Sequence, residues 1–77
     1  MITVLFFAGI KEEMGFDQLI VEKNNITVLQ LKQYFESKYP SLSFNQCMTA
    51  INETFVTDEE IIKDQDTVAF IPPVSGG

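Results

Sequence analysis

The feature that most constrains this chain is a helix start at Thr27. Thr27-Val28-Leu29-Gln30 has the capping-box spacing. The threonine hydroxyl can accept from the backbone N–H of Gln30, and the glutamine amide can reach back to the N–H of Thr27. Ile26 and Leu31 stand where a hydrophobic staple would put them. Val28, Leu31 and Phe35 then recur at helical spacing. Pro40 disfavours helical geometry in the residue before it, so the helix is expected to end near Lys38. In a chain of 77 residues, the remaining short segments must be arranged around this one main helix.

Those segments read mostly as strands. Residues 2–7 are β-branched and aromatic, with Ile2, Val4 and Phe6 on one face and Thr3, Leu5 and Phe7 on the other. Ala8 to Met14 fits about two helical turns, with Gly15 as the stop. Asp17 to Glu22 reads as a second strand, with Leu19 and Val21 inward, and Asn24-Asn25 as a turn. Residues 41–46 read as a loop and Cys47 to Ile51 as a strand. Asn52-Glu53 is a tight turn into a short return strand, Thr54 to Val56. Asp58 to Lys63 is expected to hold one helical turn, and Asp64-Gln65-Asp66 turns into the last strand, Thr67 to Ile71. The order β-β-α-β-β-β predicts an α+β domain over residues 1–71, a mixed sheet curled around the helix. Residues 72–77 form an extended C-terminal tail.

Composition removes most kinds of chemistry. There is no histidine, hence neither the usual general base nor the common catalytic triads. The single cysteine, Cys47, cannot close an internal disulfide or build a cysteine-based metal site. It is expected to be a buried strand residue without a cationic neighbour to activate it. The acidic groups Asp58, Glu59, Glu60, Asp64 and Asp66 lack the spacing of a calcium loop and read as a solvated face, so no metal site is expected. A net charge of −6, from 11 acidic and 5 basic residues, repels a phosphate backbone and favours a protein partner with a basic surface. No apolar run approaches the ~20 residues of a membrane span. The apolar N-terminus lacks the basic region of a signal peptide, so the cytoplasm is the expected location.

What remains is the end of the chain. Pro72-Pro73 follows the last strand at once; proline lacks an N–H, so sheet pairing must stop there. Each residue before a proline is also held extended, which makes a stiff exit. Val74-Ser75-Gly76-Gly77 completes the tail. From Pro72 onward six residues reach roughly 20 Å when extended. Glycines without a Cβ allow close backbone approach, so Gly76 and Gly77 suit a narrow channel. The group delivered is the carboxylate of Gly77, unreactive until a second protein activates it, for instance by transfer to AMP. Sulfur could then displace AMP and leave a thiocarboxylate.

A second expectation concerns Leu5, Phe7, Ala69 and Ile71, which share one face if the first and last strands are neighbours, with Ala50 beside them. Ile2, Val4, Phe6, Val68 and Phe70 already supply the opposite, core-facing side. The first set therefore reads as a partner-docking patch rather than ordinary core.

The chain resembles the small, sulfur-carrying subunit of molybdopterin synthase, a ubiquitin-like family. The resemblance is carried by Met1-Ile2-Thr3-Val4-Leu5-Phe6-Phe7-Ala8, by Thr27-Val28 with Leu31, by Ala50-Ile51-Asn52, and most specifically by Asp66-Thr67-Val68-Ala69-Phe70-Ile71-Pro72-Pro73-Val74-Ser75-Gly76-Gly77. It implies the β-grasp topology, with first and last strands adjacent in the middle of the sheet. It also implies that an E1-like enzyme uses ATP to adenylate Gly77, which becomes a thiocarboxylate; the chain itself binds no cofactor. The tail then enters the large synthase subunit, which holds the catalytic side chains, and gives sulfur to cyclic pyranopterin monophosphate. The expected assembly is a heterotetramer. Similar sequences carry glycine in the turn that here reads Asp64-Gln65-Asp66. A thiamine-type sulfur carrier and a ubiquitin-like protein modifier share the fold and the Gly-Gly end, and they are the alternatives.

Overall fold

In the computed structural model, which describes residues 1–44 and 46–73, the Thr27 signal is realised in full. The Gln30 N–H donates to the Thr27 hydroxyl (3.1 Å), and the Thr27 N–H donates to the Gln30 amide oxygen (2.8 Å). The elements in chain order are β1 (Ile2–Phe6), α1 (Ala8–Met14), β2 (Gln18–Val21), β3 (Ile26–Thr27), α2 (Val28–Lys38), β4 (Met48–Ile51), β5 (Thr54–Val56), β6 (Ile61–Ile62) and β7 (Thr67–Ile71). Gly15 caps α1 in the left-handed conformation, donating to the Lys11 carbonyl.

Five strands form a mixed sheet in the order β2-β1-β7-β4-β5. Its central pair, β1 and β7, is parallel, and the other neighbours are antiparallel. One face of the central strands presents Ile2, Val4, Phe6, Val68 and Phe70, all essentially fully buried. Onto it packs the apolar side of α2, namely Val28, Leu31 and Phe35. Phe35 lies at the centre of an aromatic cluster, with ring centroids 5.5 Å from Phe6, 6.1 Å from Phe44 and 6.3 Å from Phe70. This is the β-grasp, an α+β fold. No helix among the described residues is long and apolar enough to cross a membrane.

Residues 58–63 depart from expectation. In place of a helical turn, Ile61–Ile62 pairs antiparallel with Ile26–Thr27 as a small second sheet. The physical reason lies at the start of α2, whose first N–H groups have no partner inside the helix. The Glu60 carbonyl accepts from Val28 (3.0 Å), and the Asp58 carbonyl accepts from Leu29 (3.1 Å). The segment is thus held extended across the helix start, and a salt bridge of 2.8 Å from Lys32 to Asp58 adds to the tie. Smaller corrections concern element ends: β2 spans Gln18–Val21, and β4 begins at Met48, so Cys47 precedes the strand.

The turn before β7 does require a left-handed residue. Gln65 has φ 74°, its N–H donates to the Met1 carbonyl (2.7 Å), and the Met1 ammonium bonds to the neighbouring Asp64 carboxylate. That ammonium holds the Asp64 carboxyl below its usual range. A Cβ in this conformation costs about 1–2 kcal/mol, partly offset by the smaller entropy loss relative to glycine. Gln65→Gly is therefore expected to stabilise the fold by about 0.5–1 kcal/mol, raising the thermal midpoint by several degrees in a calorimetric scan.

Candidate functional site

The sheet surface away from α2 is shaped by a single rung of the ladder. Leu5 pairs with Ala69, Ala69 with Ala50, and Ala50 with Phe55, so four strands contribute one row. The two inner members are alanines and the outer two are large, so the row is low in the middle and high at both ends. The result is an open groove of ≈ 500 Å³. Its floor is Ala50 and Ala69, Leu5 and Phe7 form one wall, Phe55 forms the other, and Ile71 closes the end nearest Pro72. Phe7 is 43% exposed and Phe55 62%.

All five residues expected on the patch, Leu5, Phe7, Ala50, Ala69 and Ile71, line this groove. Ala50 is only 7% exposed, because it forms the floor rather than a projection. Phe55, Asn52, Glu53 and Thr67 also line the groove and were not foreseen. The signal for Phe55 was present in the sequence. A two-residue turn at Asn52-Glu53 pairs residue 51 with 54, and hence 50 with 55, onto the same face. Met48, 52% exposed, pairs with Ile71 next to the groove.

The turn of the β4–β5 hairpin is fixed by Asn52. Its side-chain oxygen accepts from the Thr67 N–H (3.0 Å), and its own N–H donates to the Thr67 carbonyl (2.8 Å). Its side-chain nitrogen donates to Asp66 (2.9 Å), whose other oxygen accepts from the Lys63 N–H (2.9 Å). Asp66 is thus a structural anchor rather than part of a solvated acidic face.

β7 ends at Ile71, and Pro72 and Pro73 lie beyond any strand, as the prolines require. Val74, Ser75, Gly76 and Gly77 of the expected tail lie outside the described residues. Cys47 is half-buried, and burial pushes its thiol up while the Lys32 charge pulls the other way. A cationic neighbour therefore exists that the sequence reading did not supply, but desolvation outweighs it.

The sequence profile of the ThiS family matches residues 4–77. The chain belongs to the ThiS family. The molybdopterin synthase sulfur carrier subunit of Escherichia coli is 37% identical over the full length of both chains. Among solved structures, the complex of subunits 1 and 2 of molybdopterin-converting factor from Helicobacter pylori contains a similar chain. The likeness is 28% identity with a TM-score of 0.65, covering 99% of this chain and 97% of that one. The small archaeal modifier protein 1 of Methanosarcina acetivorans superposes with a TM-score of 0.81 at 24% identity, over 99% and 95% of the two chains. That last likeness bears on the fold alone. The resemblance seen in the sequence and the ThiS family assignment therefore agree, and the stretch from Asp66 to Gly77 lies inside the match.

Proposed function

We propose that this chain carries sulfur on the carboxyl group of Gly77 as the sulfur carrier subunit of a molybdopterin synthase. The observation that supports this most directly is the continuity of β7. Thr67, Ala69 and Ile71 line the exposed apolar groove, and the same strand runs directly into Pro72-Pro73. A partner seated in the groove is therefore rigidly placed relative to the start of the tail. Docking and delivery become one geometric problem, and orientation of this kind can contribute several powers of ten in rate.

The chemistry proceeds in three transfers. An activating enzyme joins the Gly77 carboxylate to AMP from ATP, releasing pyrophosphate. Sulfur at the oxidation level of hydrosulfide then attacks that carbonyl, the C–S bond forms, the S–H proton is lost to water and AMP leaves, so no reductant is needed. The resulting thiocarboxylate, threaded past Gly76 into the large subunit, bonds through sulfur to cyclic pyranopterin monophosphate with loss of a substrate oxygen as water. A second water then cleaves the bond between sulfur and the Gly77 carbonyl, which leaves the sulfur on the product and restores the carboxylate. The side chains that act on the substrate belong to the large subunit, in a heterotetramer.

The intact mass of the chain is expected to rise by about 16 Da after incubation with its activating enzyme, ATP and a sulfur source, as oxygen is replaced by sulfur. The thiocarboxylated chain mixed with the large subunit and cyclic pyranopterin monophosphate should yield molybdopterin. An unchanged mass, or no product, would count against the proposal. Phe7→Glu places a charge on the groove wall at an exposed position. It is expected to weaken large-subunit binding at least about tenfold while leaving thermal unfolding nearly unchanged.

A further inference from the structure

We propose that Glu53 steers and orients docking at the groove by pairing with a lysine or arginine of the large synthase subunit that docks across Ala50 and Ala69. This rests on the docking reading above. Among the described residues, Glu53 is the one ionisable residue lining the groove, which is otherwise built from apolar side chains with Asn52 and Thr67. Among the described residues its carboxylate makes no hydrogen bond or ion pair. The nearby Asp66 carboxylate, by contrast, is already engaged by Asn52 and by the Lys63 N–H.

The backbone at Glu53 provides a second, independent observation. Asn52 and Glu53 have φ 49° and 70°, so both central residues of this hairpin turn are left-handed. Such a turn favours Asn followed by Gly. Asn52 fits this preference and bonds to Asp66 and Thr67. Glu53 bears a side chain where glycine would fit without strain, and no contact within the described chain compensates. Because Asn52 clamps the turn to β7, the Glu53 carboxylate projects from a fixed point at the groove's end farthest from Pro72. A neighbouring depression shares Leu5 and Phe7 but carries Lys11 and Asp17, charges of opposite sign. The groove therefore has a defined polarity: an acidic mark at one end and the tail exit at the other. A partner offering an apolar anchor with a basic side chain at the matching end can dock in only one direction.

The test measures association of the full chain with the large synthase subunit, at about 0.05 M and about 0.5 M salt, for the unaltered protein, Glu53→Gln, Glu53→Lys and Phe7→Glu. Gln keeps the side-chain length and the left-handed residue count unchanged, so folding is preserved. Glu53→Gln is expected to slow association roughly two- to tenfold at low salt, and Glu53→Lys to slow it more, with both differences shrinking at high salt. If both Glu53 variants match the unaltered chain in rate and salt dependence while Phe7→Glu fails to bind, the role of Glu53 is overturned and the groove reading stands. If Phe7→Glu binds as well as the unaltered chain, the groove reading falls and this proposal falls with it.

Discussion

Deleting Gly76 and Gly77 is expected to abolish sulfur transfer while leaving the folded domain and its docking intact. The deletion moves the reactive carboxyl to Ser75 and shortens the extended reach of the chain by about 7 Å. A misplacement of about 1 Å can already cost on the order of a hundredfold in rate, so a loss below detection is the expected outcome. The new terminal residue also brings a Cβ and a hydroxyl into a channel suited to bare backbone. Among the described residues, those that line the groove end at Ile71. Binding to the large subunit should therefore persist, with molybdopterin formation as the activity readout. Full activity from the shortened chain would end the reading that sulfur is carried on the Gly77 carboxyl; among the described residues the half-buried Cys47 is the only thiol that could carry sulfur in its place.

Phe35→Ala is the second change with a large expected effect, and it acts on the fold. Phe35 is fully buried, and its ring meets Phe6, Phe44 and Phe70 from three parts of the chain. Truncating such a ring typically costs about 3–5 kcal/mol through lost transfer energy and the cavity left behind. A domain of this size buries a limited fraction of its surface and is expected to have a total stability on the order of 5 kcal/mol. The variant should therefore unfold at much lower urea than the parent, with a substantial unfolded fraction in buffer by circular dichroism. Retention of more than half the parent's stability would mean that the aromatic cluster collapses to refill the space.

The two expected results divide the molecule as its sequence does. The transfer chemistry depends on residue types at the end of the chain, which can be read without a structure. The stability depends on one side chain that three separate segments converge on. Only its helical periodicity with Val28 and Leu31 marked it in advance.

Local chemistry made much of this protein legible. The α2 cap needs only atoms three residues apart, so Thr27 and Gln30 announce it. Alternation in residues 2–6 and 67–71 assigned faces correctly, because a strand reverses its side chains at every residue. The stop after Ile71 follows from the missing N–H of proline. What the sequence could not settle were bonds between distant segments. The path of residues 58–62 depends on the unpaired N–H groups at the start of a helix some thirty positions earlier, and no local pattern carries that demand. Asp66 became an anchor because Asn52 lands beside it across the sheet. The groove itself exists only because strand register sets two alanines from β4 and β7 side by side between Leu5 and Phe55. Local propensity is settled over a few residues of backbone, whereas register between remote strands is settled by the packing of the whole core.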